Sequence, residues 1–259
     1  MRPFSLYALV LTLAFPASAL ADQITVFVPG FADPWLAGMP GGSTASGYTP
    51  GSPGVDVAPQ QSPVQVVGLP VSSGTIMTFN ATGTAAYGPA STTGPDLKFS
   101  GPDGKLYYTN YIHHLAGAQS GLSDIHTPIN ALLGVFLDAG RPDNTAAPGT
   151  LDVRPGGNVA GGLDYAMLNP ALKQVFFIGD GLDGVANQQL IVAPAGATRL
   201  FLGVADGWEW VGNQGGYYVR VNYPSGLVPN ANVPEPGSLA LLAIGGAGLW
   251  GYALRRRRR

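Results

Sequence analysis

The chain lacks cysteine and is poor in charge. None of its 259 residues is cysteine, and only 11% are Asp, Glu, Lys or Arg. The absence of cysteine excludes disulfide bonds, thiolate-bound metal centres and a thiol nucleophile. Long amphipathic helical stretches are scarce, and no internal repeat of about 20 to 50 residues is present, which argues against propellers and solenoids.

Sequence motifs of hydrolytic enzymes are missing too. The chain has neither a Gly-x-Ser-x-Gly elbow nor a His-Glu-x-x-His helix. Two of its three histidines, His113 and His114, are adjacent and would face opposite sides of a strand, so they would not share a zinc ion. We therefore predict a protein that is not an enzyme, with a secreted glycoside hydrolase as an alternative.

Glycine and proline are abundant, at 38 and 23 residues. Short runs of β-branched, aromatic and leucine residues end at Gly, Pro, Asn or Asp, which predicts an all-β sandwich or barrel. Residues 129–137 could instead form a short buried helix, because their apolar run has no clear period. The predicted strands are Gln23–Val28, Val64–Leu69, Thr75–Thr82, Ala131–Leu137, Gln174–Ile178, Leu190–Ala193, Arg199–Val204 and Tyr217–Tyr223.

The predicted body, residues 22–223, contains two long loops. Residues 38–54 and 139–162 are rich in Gly, Pro, Ser and Thr. Such segments bury little apolar surface, so they would be mobile or would form ordered Ω-loops over a binding face. Residues 224–232 would be a linker.

The amino terminus has the features of an export signal. Residues 1–21 contain Arg2, an apolar stretch and the sequence Ala19-Leu20-Ala21 before Asp22. This pattern predicts a secretory signal peptide with a small-residue cleavage site.

The net charge of the chain hides an acidic body. Six of the 13 basic residues lie in the two terminal segments, which leaves seven in residues 22–232 against 14 acidic residues. An acidic body without a basic stripe predicts that nucleic acid is not a partner.

The carboxyl terminus, residues 233–259, has three consecutive parts. A rigid turn (Pro234, Glu235, Pro236 and Gly237) precedes 16 uncharged residues, 239–254, and the chain ends in five arginines: Arg255, Arg256, Arg257, Arg258 and Arg259. As a helix the uncharged run would be about 24 Å long, enough to span a membrane if the arginines reach the headgroups. The arginines favour the cytoplasmic side, which places the body outside.

This order of parts resembles the PEP-CTERM sorting signal of Gram-negative bacteria. The resemblance implies an exosortase-type enzyme that acts near Pro234–Gly237, with the inner membrane as a transient partner. The protein would then reach the periplasm, the outer surface or the extracellular matrix. A permanent single-span anchor is the alternative.

One polar segment of the body is a candidate binding loop. Asp206, Glu209, Asn213 and Gln214 follow the strand Arg199–Val204 and precede Tyr217, so we predict a hairpin with a long polar loop. Their oxygens suit a hard cation such as Ca²⁺. Ordinary turn chemistry of Asp and Asn is the alternative.

Together with residues 81–95, this loop resembles the calcium-dependent galactose-binding lectin of the PA-I type. The first segment shares Ala81, Gly83, Tyr87, Gly88 and Pro89, and the second shares Asp206, Asn213, Gln214, Gly216 and Tyr218. The resemblance implies an antiparallel β-sandwich of galactose-binding or jelly-roll-like shape. It also implies Ca²⁺ held by the side chains of Asp206, Asn213 and Gln214 and by the backbone carbonyls of Tyr87 and Trp210.

Trp208 and Trp210 flank Glu209, and indole faces beside carboxylates are suited to sugars. In an alternating segment the two tryptophans would share one environment. We expect Trp208, Glu209, Trp210 and Asp206 to contact carbohydrate. The sequence thus predicts an exported protein that binds extracellular polysaccharide, and a structural matrix protein without a specific ligand is the alternative.

Overall fold

The computed structural model describes residues 21–45, 55–88 and 98–225, and these residues form strands, turns and irregular segments with almost no helix. Helix within this part is limited to three 3-10 turns, Pro34–Leu36, Pro142–Asn144 and Gly162–Asp164. None of its helices is long and apolar enough to cross a membrane. The predicted signal helix and the predicted membrane helix at 239–254 lie outside the described residues.

The described residues form fourteen strands. In chain order, β1 to β14 are Ala21–Pro29, Thr44–Ala45, Asp56–Val57, Val64–Gln65, Ile76–Ala86, Phe99–Ser100, Ile125–His126, Leu132–Leu137, Leu151–Asp152, Met167–Leu168, Val175–Phe177, Leu190–Val192, Arg199–Val204 and Gln214–Pro224.

Two sheets account for most of these strands. The larger sheet runs β1-β14-β5-β12-β10, with β6 also paired to β5, and the smaller runs β11-β8-β13-β4. Strands β5 and β14 alternate buried and exposed side chains, which is the pattern of a strand with one face on the core. Buried residues of both sheets belong to one hydrophobic cluster, so the predicted all-β sandwich is confirmed.

Pairing within the sheets is antiparallel except at two short contacts. Strand β10 runs parallel to β12, and β7 runs parallel to β9 in a separate two-stranded ladder. The antiparallel pairing predicted for the sandwich therefore holds except at these two pairs. Each involves only two residues on either side, brought together by loops whose path the strand pattern did not indicate.

All eight predicted strands are present; Arg199–Val204 has the predicted bounds, and the other seven have changed ends. Residues 132–137 form strand β8, so the alternative of a buried helix there is wrong. Every side chain of β8 is buried, because the smaller sheet is covered on both faces. This double coverage also explains why the run showed no period in the sequence.

The predicted hairpin between β13 and β14 is wrong. Strand β13 pairs with β8 and β4 in the smaller sheet, whereas β14 pairs with β1 and β5 in the larger sheet. Residues 205–213 therefore cross from one sheet to the other at an end of the sandwich. Apolar and polar residues alternate along the two strands in the same way whether a hairpin or a crossover joins them, so the sequence pattern did not distinguish the two connections.

The second predicted loop, residues 139–162, is tied to the body. The Lys173 ammonium donates hydrogen bonds to the carbonyls of Thr145 at 3.0 Å and Ala146 at 2.6 Å. Val153 is buried, and β9 within this segment pairs with β7. Residues 46–54 of the first predicted loop lie outside the described residues.

Candidate functional site

The crossover segment, residues 205–213, forms one wall of a cavity of about 400 Å³. We call this cavity the Trp208 cleft. Its walls combine aromatic rings with ionisable groups, of which the principal members are Tyr87, Tyr107, Tyr111, His113, Asp206, Trp208 and Glu209. Concave sites of this size, mainly apolar with a few polar groups, are typical of small-ligand pockets.

Hydrogen bonds of Asp206 and Asn213 shape the crossover. One carboxylate oxygen of Asp206 accepts the N–H groups of Gly207 at 2.6 Å and Trp208 at 3.2 Å. Its other oxygen accepts the Asn213 side-chain amide at 2.9 Å, and the Asn213 N–H donates to the Trp210 carbonyl at 2.9 Å. The segment is thus closed on itself by an Asp turn and an Asp–Asn contact.

The segment that begins at Ala81, which the sequence paired with this loop, contacts the crossover at Asn213. Gly88 follows strand β5, and its N–H donates to Oδ1 of Asn213 at 2.7 Å. Tyr87 lines the same cavity as Asp206, although more than 100 residues separate them. The structure therefore brings together Tyr87, Asp206 and Asn213, three of the five predicted ligand residues.

The two tryptophans do not share an environment, and that prediction is wrong. Trp208 is 43% exposed at the cleft, whereas Trp210 is fully buried. The Trp210 indole donates to the Val204 carbonyl at 2.6 Å and packs against Trp35, with ring centroids 5.5 Å apart. Residues 205–213 are turns and bends rather than a strand, so alternation does not apply to them. Trp210 is a core residue whose indole does not line the cleft.

Aromatic residues that the sequence analysis did not single out extend the cleft outward. Tyr107 packs edge-on against Tyr87, with centroids 5.4 Å apart, and against Tyr108 at 4.7 Å. Lys98 and Lys105 place their ammonium groups 5.4 and 5.6 Å from the Tyr87 ring centroid, within cation–π range. The run Lys105-Leu106-Tyr107-Tyr108 in the sequence could have indicated this surface.

Two adjacent histidines near the cleft differ in their surroundings. His113 lies at its wall, 3.4 Å from Oδ2 of Asp124. His114 is buried and stacked on Trp35, with ring centroids 4.0 Å apart, and burial lowers its pKa to about 4. The two imidazoles occupy separate surroundings, but residues 113 and 114 are not part of a strand, so the predicted alternation does not apply to them.

Buried carboxylates gather behind the cleft. Burial, with a smaller contribution from repulsion by Glu209, raises the pKa of Asp56 to about 7 and that of Asp206 to about 6. Asp33 is fully buried, and burial together with the Asp56 charge raises its pKa well above its usual range. Asp33 and Asp56 were not predicted from the sequence, because they come from distant segments and have no local motif.

The predicted calcium ligands are assembled only in part. Asp206 and Asn213 already satisfy each other, and the Trp210 carbonyl accepts an N–H group of the loop. Gln214 is the first residue of β14, exposed and paired in register with Ala86. A buried oxygen of Glu209, which was not among the predicted calcium ligands, has no hydrogen-bond partner in the described part of the chain. In the same residues, no cluster of three or more His, Asp or Glu residues is arranged to hold a metal.

Comparison with known proteins assigns only the end of the chain. No curated protein and no solved structure matches the sequence. Residues 232–259 match the family model described as the PEP-CTERM protein-sorting motif, and they include Pro234–Gly237 and the five arginines. The predicted PEP-CTERM sorting signal is thus confirmed. The chain therefore carries an exosortase-type sorting signal that directs export and transient membrane association.

Proposed function

We propose that this exported protein binds carbohydrate in the Trp208 cleft, and that its ligand is polysaccharide of the cell surface or matrix. The observation that carries the proposal is the combination of an exposed indole with acidic groups in one cavity. Trp208 is 43% exposed beside Asp206 and Glu209. The apolar face of a pyranose stacks on an aromatic ring while its hydroxyl groups bond to carboxylates and amides.

The phenol rings support the same ligand class. Tyr107 is exposed, and Tyr108 is 80% exposed at the rim of the aromatic surface. Large exposed aromatic groups that lie together mark interaction sites on otherwise polar proteins. An uncharged polyol suits this surface. Its apolar face can stack on the rings and its hydroxyl groups can bond to polar side chains, and it brings no charge that the protein would have to neutralise.

Calcium is a subsidiary part of the proposal. Oxygens of Asp206 and Asn213 would hold the ion, and its charge would offset the repulsion among Asp56, Asp206 and Glu209. A cation that binds only the native state raises thermal stability by mass action. We expect 1 mM CaCl₂, taken as roughly 100 times Kd, to stabilise the protein by about 3 kcal/mol relative to EGTA. Asp206→Asn should abolish that difference, and equal melting temperatures of wild type in both buffers would remove calcium from the proposal.

The sugar proposal is tested with the full-length chain in a non-glycosidic detergent. Trp208→Ala removes the exposed indole, and Val211→Ala is the matched control because Val211 is exposed in the same crossover but does not line the cleft. On an immobilised glycan array, wild type and Val211→Ala should bind the same sugars. Trp208→Ala should bind about 10-fold or more weakly, given about 1–3 kcal/mol per aromatic stacking contact.

Two results would contradict the proposal. Binding that Trp208→Ala leaves intact would move the site away from the cleft. A complete lack of binding on the array would favour the alternative of a structural matrix protein without a specific ligand.

A further inference from the structure

A second cavity adjoins the Trp208 cleft. It has a volume of about 510 Å³ and is lined by Tyr111 and by residues 153–157 and 159–164. We call it the glycine cleft, because Gly156, Gly157, Gly161 and Gly162 form much of its wall. Tyr111 lines both cavities, so a single aromatic side chain marks their junction.

Backbone pairing fixes the two cavities relative to each other. Ile112, next to Tyr111, exchanges hydrogen bonds with Thr127 at 2.8 and 2.9 Å. Strand β7, just before Thr127, pairs with β9, which leads directly into the wall of the glycine cleft. The Val153 N–H then donates to the His126 carbonyl at 3.2 Å, and Val153 is buried. Both cavities are therefore built on the same short framework.

The wall of the glycine cleft has room for a ligand and carries polar side chains. Gly156 has φ +81°, and a Cβ built there would meet no atom within 4 Å. Arg154 is paired with Asp152 across 2.6 Å and remains half exposed, while Asp164 is exposed. Hydroxyl-rich ligands bind to such mixtures of backbone and paired side-chain groups.

We infer that the Trp208 cleft and the glycine cleft are successive subsites for one extended oligosaccharide, which passes Tyr111 between them. This inference rests on the proposed function and specifies its substrate class as a chain of several sugar residues. Each cavity lies within the range of about 300–1,000 Å³ common for small-ligand sites, so one monosaccharide would leave the second cavity unused. Occupying both subsites with one linked ligand raises its affinity without new contacts in the first.

The test uses galactose, glucose, mannose and N-acetylglucosamine, each presented as homo-oligosaccharides of one to six residues. The full-length chain is titrated with the series that binds, as wild type, Ala160→Leu and Ala171→Leu. Ala160 is exposed in the wall of the glycine cleft, so leucine there narrows the cleft without entering the core. Ala171 is exposed outside both cavities and is the control.

We expect the affinity of wild type and Ala171→Leu to rise about tenfold or more from one residue to four. Ala160→Leu should keep the monosaccharide affinity and lose the gain with length, with an unchanged melting temperature. Affinity that is independent of chain length, or a gain that survives in Ala160→Leu, would overturn the two-subsite inference and leave the Trp208 cleft standing. Absence of binding to every series would instead refute the proposed function, and the two-subsite inference with it.

Discussion

Replacing Asp56 by asparagine should remove a pH-dependent loss of stability. Asp56 is solvent-inaccessible, and both its carboxylate oxygens accept the Trp210 N–H at 3.0 Å. Burial raises its pKa from 3.8 to about 7. Asparagine keeps the size of the side chain and an oxygen acceptor, but it cannot ionise.

The sign of the effect follows from proton binding. Between pH 4 and 7 the unfolded chain has already released the proton of Asp56, whereas the native state retains it. The contribution of Asp56 to the free energy of unfolding is therefore complete below about pH 4 and falls as the pH rises toward 7. One pKa unit corresponds to about 1.4 kcal/mol, so the loss is on the order of 4 kcal/mol.

The measurement is urea unfolding of wild type and Asp56→Asn from pH 4 to pH 8 in EGTA. Any unsatisfied amide proton in the variant costs about 1–3 kcal/mol at every pH, so the slope of stability against pH isolates the ionisation. The stability of Asp56→Asn relative to wild type should improve by about 4 kcal/mol across this range. Asp138→Asn, at an exposed position, controls for the loss of one acidic group. Parallel profiles for wild type and Asp56→Asn would refute the reasoning.

Two further predictions concern the core. The wild type should lose stability as the pH falls from 6.5 to 4, because the buried native imidazole of His114 resists protonation. His114→Phe should reduce this loss by about 3 kcal/mol. Acid unfolding followed by near-UV circular dichroism measures the difference. Gly134→Ala should destabilise by about 1–3 kcal/mol in urea, since its Cβ would lie 2.6 Å from Cζ of Phe176. Gly149→Ala, where a Cβ meets no atom within 4 Å, should change little, and equal effects of the two would contradict this packing argument.

The positions of the strands could be predicted from local sequence patterns. Arg199–Val204 is a strand with the predicted bounds, and Tyr217–Tyr223 lies inside β14. Both are bounded by turn residues and rich in aromatic or β-branched side chains, which act over a few neighbours. The strands that pair with them could not be predicted, because pairing depends on residues far away in the chain.

The candidate site shows the same division. Asp206 and Asn213 were recognised from a polar loop, and the structure joins them to each other and to Gly88. The burial of Trp210 was not foreseen, because two residues of spacing predict a common face only within a strand. Asp33 and Asp56 were missed because each is an isolated acidic residue in the sequence.

The sequence by itself determined the all-β class, the acidic character of the body and the sorting tail at residues 232–259. These properties depend on composition and on consecutive residues, which need no folding to be read. Only the tertiary structure decided that residues 205–213 cross between sheets, that buried carboxylates gather behind Trp208, and that two cavities meet at Tyr111. Those features arise from contacts between segments far apart in the chain, whose free energies depend on burial and distance rather than on local order.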